Sequence, residues 1–352
     1  MRPRDYLFGV VAAALLVTYL MLGSRISPVL LPGGTITPTP PRPTAAVSAP
    51  RVPGTIAFSL RGDVYVLRDG SYINVTSEGR NLTPNLSADG RTLIFSRTET
   101  IDGKRTIDGQ TAPALLHYTD IIRKGATGGT ETIVLTGLKQ KSASGFHQVA
   151  YHDDPALSPD GTKIAVVTDR GDGNGSNLEI YDANGTSGAA KLLNTLSSGS
   201  DLADPSWSPD GKTIAVTSYT LGVPRILLVP TDGRAATPQK MSVDGEPYRP
   251  QFSPDGRLLI YTLRGPKGGN DVHVVEMSTG RDIALTSDGK SWNGVFSPDA
   301  SQVAFLHEQN GVIDLYSMEL GTALTQAVPP KAPVKLTRGE GIDGDSRPSW
   351  GR

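Results

Sequence analysis

Five variants of one seven-residue phrase run through this chain. They are Pro84-Asn85-Leu86-Ser87-Ala88-Asp89-Gly90, Pro155-Ala156-Leu157-Ser158-Pro159-Asp160-Gly161, Pro205-Ser206-Trp207-Ser208-Pro209-Asp210-Gly211, Pro250-Gln251-Phe252-Ser253-Pro254-Asp255-Gly256 and Gly294-Val295-Phe296-Ser297-Pro298-Asp299-Ala300. The copies end at intervals of 71, 50, 45 and 44 residues. A period in that range commits a chain to a solenoid or a propeller before any other motif is read. Ser-Pro-Asp-Gly suits a type I turn: Ser opens it, Pro presets φ at the second position and Gly fits the fourth. An apolar, β-branched run follows each turn, as in Ile164-Ala165-Val166-Val167 and Leu258-Leu259-Ile260-Tyr261. Next come an alternating strand, a second turn such as Thr231-Asp232-Gly233, and a short strand ending in Leu-Thr, as in Leu285-Thr286 and Leu336-Thr337. Each unit therefore reads as a four-stranded antiparallel meander, and no long segment has a helical period. The 40 Gly and 27 Pro residues supply the many reversals.

One meander cannot bury both faces of its sheet, so the units must pack radially as blades. The expected fold is all-β, a six-bladed β-propeller spanning 54–352. Gly54-Thr55-Ile56-Ala57-Phe58 matches the stretch that follows a Ser-Pro-Asp-Gly turn, so the first unit lacks its inner strand. Arg347-Pro348-Ser349-Trp350-Gly351-Arg352 matches an inner strand. The last strand is thus expected to complete the first blade and close the ring. The blades are predicted at about 54–78 plus 345–352, then 82–136, 153–198, 203–244, 248–288 and 292–338.

This repeat resembles the TolB-like propeller family, whose blades carry P-x-W-S-P-D-G-x-x-I-A-F. Pro205 through Val216 follows that pattern to its last position, where Val replaces Phe. The resemblance covers about 54–352 and implies the propeller fold. It implies function only broadly: such propellers occur as envelope interaction scaffolds, as appendages of prolyl oligopeptidase-type peptidases and, more rarely, as lyases. The chain departs from TolB itself in having a membrane anchor and a Pro-rich linker and in showing no separate N-terminal α/β domain. A role in the Tol–Pal machinery is therefore not carried over.

Tyr6 to Leu22 is a run of 17 residues without a charge, at the lower limit for a membrane-spanning helix. Arg2 and Arg4 precede it, which predicts a cytoplasmic N-terminus and everything after Gly23 outside. Met21-Leu22-Gly23-Ser24 offers no A-x-A-like cleavage site, so residues 1–25 read as an uncleaved signal-anchor. Residues 26–53 hold ten prolines and glycines of a spacer, among them Pro38, Pro40, Pro41 and Pro43, and tend toward extended polyproline II. The expected location is the cell membrane, single-pass, with the propeller on the extracytoplasmic side.

With 34 basic and 35 acidic side chains, the chain is no default nucleic-acid binder. It has no cysteine, which removes disulfides, thiolate metal sites and a Cys nucleophile. No G-x-S-x-G elbow or Walker loop is present. The residue before each inner strand is expected at one channel mouth: Arg347, Thr83, Asp154, Asp204, Arg249 and Asn293. Two acids and two arginines there suggest a polarised entrance for a charged peptide or sugar, or simple pairing of Asp204 with Arg249 between blades. His147, His152 and Asp153 are a candidate divalent-cation site; no cofactor is otherwise predicted. A loop insertion at Thr98–Pro113 and a long connection from Gly137 to His152 fall on this same face, and long loops on rigid scaffolds often carry function. The sequence thus predicts a binding scaffold for an envelope protein or peptide engaged by that face. The alternatives are a carbohydrate-active or metal-dependent, lyase-like enzyme at the channel mouth, or a small-ligand sensor.

Overall fold

Residues 51–171, 175–185, 192–197, 201–219, 222–321 and 332–352 are described by the structure, a computed structural model. The expected anchor and the linker as far as residue 50 lie outside the described residues. Among the described residues no helix is long and apolar enough to cross a membrane.

Six four-stranded antiparallel sheets form the blades. The inner strand of blade 1 is Ser349–Gly351, which pairs with Thr55–Leu60 through Thr55–Gly351, Ile56–Trp350 and Ala57–Ser349. The closure read from the two ends is therefore present. Blades 2 to 6 begin with the inner strands Asn81–Leu86, His152–Leu157, Leu202–Trp207, Glu246–Phe252 and Ser291–Phe296.

The core explains why the sheets form a ring. It divides into six clusters, each made where two neighbouring blades meet. Ala57 and Val66 of blade 1 meet Leu93 and Phe95 of blade 2, and Leu306 and Leu315 of blade 6 meet Ile56 and Trp350 of blade 1. The other four clusters join blades 2–3, 3–4, 4–5 and 5–6. Each sheet thus buries both faces only when it has a neighbour on each side.

The repeated turn is held by its own side chains. In Ser208-Pro209-Asp210-Gly211 the Gly211 N–H donates to Ser208 O at 2.9 Å, and the Ser208 hydroxyl donates to Asp210 Oδ1 at 2.6 Å. Ser208 Oγ also accepts from Thr213 N–H at 3.0 Å, while Asp210 Oδ1 accepts from Lys212 N–H at 3.0 Å. These bonds hold Asp210 ionised, with its pKa below the usual carboxylate value chiefly through the Ser208 hydroxyl. The fourth position has a positive φ, 68° at Gly211, which is why Gly ends the phrase. Ala300 takes it at 56°, a conformation that costs an L-residue about 1–2 kcal/mol. The Leu-Thr ending is also structural: the Thr337 hydroxyl donates to Asp314 Oδ1 at 2.7 Å and accepts from Leu315 N–H at 2.9 Å. Thr76 and Thr286 repeat the arrangement in blades 1 and 5.

The insertion at Thr98–Pro113 is not a loop. It lengthens two blade strands, Thr92–Ile107 and Gln110–Gly125, into a continuous ribbon paired from Thr92–Gly125 to Ile107–Gln110. Asp108 and Gly109, both at positive φ (50° and 77°), turn its tip, the geometry of a two-residue type I′ hairpin. Loop chemistry in the sequence misleads here because Thr-Ile-Asp-Gly occurs twice. Only the second copy turns; in the first, Asp102-Gly103 lies within the strand. Gly103 permits a close crossing, since a Cβ there would lie 2.8 Å from Gly145 O. The connection after blade 2 forms a small hairpin, Leu138–Gln140 with Gln148–Val149, that crosses the ribbon and braces it. Lys104 N–H donates to Gly145 O at 2.8 Å.

Candidate functional site

At the channel mouth on the ribbon side, a bulge interrupts each inner strand of blades 2 to 6. The bulges hold Thr83, Asp154, Asp204, Arg249 and Asn293 at φ between 46° and 57°. Such bulges re-aim a side chain, and here four charges meet across the axis. Arg347 of blade 1 lies 3.7 Å from both Asp154 of blade 3 and Asp204 of blade 4. Arg249 of blade 5 lies 3.6 Å from Asp204 and donates from Nη1 to Asn293 Oδ1 at 2.9 Å. Asp154 Oδ2 accepts from Asp204 N–H at 3.0 Å, and Asp204 Oδ2 accepts from the Thr217 hydroxyl at 2.9 Å. Asn293 Nδ2 donates to Ser346 O at 2.7 Å. Thr83 stands apart and bonds the Ser96 hydroxyl at 2.8 Å.

The sequence is right that these residues share a mouth. Of the two readings the sequence left open, the inter-blade pairing of Asp204 with Arg249 is present, and the two arginines pair with Asp154 and Asp204 and, at 3.4 Å from Arg249, with Asp345. Beside Arg249, Asn293 and Arg347 only about 10 Å³ of space remains. Burial pushes Asp204 up in pKa, and Arg347 and Arg249 pull it back down.

The three residues of the candidate cation site have separate tasks. His147 spends both ring nitrogens on the hairpin crossing: Nδ1 accepts from Ser142 N–H at 3.0 Å and Nε2 donates to Asp102 O at 3.1 Å. His152 is fully buried, and neither ring nitrogen has a protein partner. Asp153 is solvent-accessible but densely surrounded; burial first, then Asp154 and Asp169, raise its pKa to about 7. Among the described residues no three His, Asp or Glu side chains gather closely enough to hold a metal.

His152 gives the fold an acid-sensitive point. Burial and then the Lys139 charge lower its pKa from 6.5 to about 3, so the folded protein keeps it neutral. A depressed histidine pKa means full stability above about pH 6.5 and progressive loss as pH falls toward 3. Each pH unit in that window costs about 1.4 kcal/mol, so roughly 2–3 kcal/mol is lost by pH 4.5. Asp153, with its raised pKa, acts in the opposite sense between about pH 4 and 7; its exposure screens that contribution. His152→Phe is expected to flatten the acid limb of urea-midpoint measurements between pH 6.5 and 4.5. An unchanged slope would assign the acid limb to other groups.

The open cavity is at the other mouth, among the Ser-Pro-Asp-Gly turns. A funnel of about 280 Å³ is lined from all six blades. Equivalent positions around it are Leu86, Leu157, Trp207, Phe252, Phe296 and Trp350. Trp207 and Trp350 are mostly core, as the sequence suggests: each is under a tenth exposed, and their indole N–H groups donate to Ala156 O and Pro53 O. Polar groups along the wall tie blades together, with Asn85 Oδ1 accepting from Leu157 N–H and Ser349 Oγ from Leu86 N–H, each at 2.9 Å. Arg352 supplies the one ionisable side chain of the lining. The funnel continues outward between the turns of blades 2 and 3. A second cavity of about 400 Å³ shares Ala88, Leu157, Pro159 and Arg352 with it. A third of about 300 Å³ shares Thr92 and Arg123 with the second. Together they make a radial groove.

The family model for the TolB beta propeller domain matches residues 127–319, more than half of the chain. The chain belongs to the TolB β-propeller family. A protein TolB homolog from Chlorobium luteolum is 29% identical over 167 residues, 47% of this chain and 36% of its own length. The uncharacterized peptidase YuxL from Bacillus subtilis is 32% identical over 154 residues, 43% of this chain and 21% of its own length. The chain thus spans about a third and about a fifth of these curated relatives. The crystal structure of TolB from Acinetobacter baumannii has a TM-score of 0.59 at 19% identity, covering 84% of this chain and 66% of that one. At that identity the likeness is one of fold.

Within this TolB-type propeller, sequence reasoning placed its candidate binding residues at the ribbon-side mouth and did not foresee the funnel cavity. A usable signal was present: the same phrase that marks each blade carries an apolar residue just before its Ser. Five such residues, and Trp350 at the equivalent place in the closing strand, had to converge once the blades formed a ring.

Proposed function

We propose that this chain is a membrane-anchored, extracytoplasmic scaffold that receives an extended segment of an envelope protein or peptide in the funnel and its radial groove. The composition of the funnel wall carries this reading. Aromatic, aliphatic and proline surfaces converge there with one arginine side chain and no carboxylate or imidazole side chain. Such a lining offers contact area and backbone partners but no acid–base pair for a lyase or hydrolase reaction. The groove adds length, which favours an extended chain over a compact small ligand. Membership of a family that includes TolB homologues supports a protein partner.

In-cell photo-crosslinking tests this. A benzophenone amino acid replaces Pro254, exposed at the funnel, or Asp232, exposed at an outer turn. One discrete membrane-fraction adduct from position 254 and none from 232 is the expected result. Adducts from both positions, or none from 254, would remove the funnel as the binding site.

A further inference from the structure

The six blades share one register, so equivalent positions can be compared directly. On the third strand of each blade one residue faces the seam with the following blade. Its pairs with the second strand are Ala57–Val66, Ile94–Arg123, Ala165–Ile180, Ala215–Leu228, Ile260–Val274 and Ala304–Ser317. Val66, Ile180, Leu228 and Val274 pack into the apolar clusters between blades, and Ser317 is small and buried. Blade 2 alone places a charge here, Arg123. Apolar filling is what burial at a seam rewards, so packing does not account for the arginine. Departures from an otherwise consistent pattern are expected at functional sites.

Arg123 is half-buried and lines both outer cavities of the radial groove. Its Nη1 donates to Ala183 O at 3.1 Å and to Asn184 Oδ1 at 2.8 Å, both in the facing turn of blade 3. These neutral acceptors hold the guanidinium across the seam and leave Nη2 and Nε free to donate. Among the described residues no carboxylate lies within ion-pair distance of it. Thr132 pairs with Arg123, and Thr92 and Thr130 share its face of the blade by alternation. All three line the third cavity, and among the described residues their hydroxyls have no partner. Lys124 also borders that cavity, but its Nζ donates to Val75 O at 2.8 Å and Glu131 Oε1 at 3.1 Å. No carboxylate side chain lines the third cavity. In the second, Asp89 and Asp160 are tied into their own turns by Ser87 and Ser158.

We propose that Arg123 is the specificity residue of the groove and binds the carboxylate of an aspartate or glutamate in the extended segment, with the threonine hydroxyls as further donors. This rests on the reading of the funnel and groove as a site for an extended chain. A guanidinium offers a carboxylate two parallel donors. One already fixed across a seam loses little freedom when it does so. The segment is then read in two places: an apolar part in the funnel, and an acidic side chain further out between blades 2 and 3.

The test reads the adduct formed in cells by full-length protein with benzophenone at position 254, per unit of protein in the membrane fraction. Arg123→Met is expected to lower the yield about tenfold, as loss of a hydrogen bond to a charged group does. Arg123→Lys should recover part of it. Arg97→Met breaks the ion pairs with Glu78 and Glu131 on the other face of blade 2; it is expected to lower the melting temperature without lowering the yield, which separates recognition from stability. Mass spectrometry then identifies the crosslinked segment, and its acidic residues are replaced one at a time by Asn or Gln. One replacement is expected to reproduce the loss and to add nothing further in Arg123→Met. Full yield from Arg123→Met overturns this inference and leaves the funnel reading standing. Full yield from every amide variant of the segment does the same. No adduct from position 254 in the unaltered protein removes the groove as a peptide site, and this inference with it.

Discussion

Removing residues 343–352 is expected to unfold all six blades together, not merely to fray the first. The segment supplies the inner strand of blade 1, and its contacts reach three blades. Trp350 fills the seam between blades 6 and 1. Ser349 Oγ accepts from Leu86 N–H of blade 2 at 2.9 Å, and Ser346 Oγ accepts from Ser59 N–H at 2.7 Å. Asp343 caps the bend after Thr55–Leu60 by accepting from Arg61 and Gly62 N–H, both at 2.8 Å. Loss of a buried Trp alone costs about 3–5 kcal/mol, and a domain has only about 5–15 kcal/mol in total. Deletion also opens the ring, exposing the edge of Thr55–Leu60 and an apolar seam, which invites aggregation. Far-UV circular dichroism of the truncated protein should show no cooperative thermal transition near that of the full chain. A truncated protein that melts at the same temperature would mean the ring does not depend on this closure. Trp350→Ala should fall between the two.

Arg347→Met should be the most damaging single substitution at the ribbon-side mouth. It leaves Asp154 and Asp204 close together, with Arg249, which also pairs with Asp345 at 3.4 Å, as the remaining guanidinium. Breaking a buried charge network by removing one partner costs about 3–5 kcal/mol, because the remaining charge is uncompensated. The pH dependence identifies the cause. Burial already raises the Asp204 pKa, and Arg347 is the largest opposing influence; without it the pKa rises further. A raised carboxyl pKa in the folded state gives stability that is present below the unfolded value, near 3.8, and lost as pH rises. The deficit of Arg347→Met is therefore expected to be larger at pH 8 than at pH 5, and Arg347→Met/Asp204→Asn should recover much of it. Urea midpoints at the two pH values measure this. A deficit independent of pH would point to lost side-chain contacts rather than stranded charge.

The recurrence of Ser-Pro-Asp-Gly, with its β-branched runs, determined the blades, their number and the closing strand. It could do so because those features are local: a turn formed by four consecutive residues, and strands fixed by alternation within six or seven. The same locality explains the mouth residues. Each holds the same place relative to its repeat, so the six had to meet on one end of the ring; the structure puts five of them in bulges inside the inner strands rather than just before them. What the sequence could not determine was how side chains from different blades would combine. Arg347 and Asp204 are 143 positions apart in the numbering, and only the curvature of the ring brings them within 3.7 Å, into an ion-pair network that spans the axis. His147 resembled a metal ligand until the hairpin crossed the ribbon and took both its nitrogens. The funnel, too, exists only because six apolar side chains from separate repeats converge around an axis that no single repeat contains.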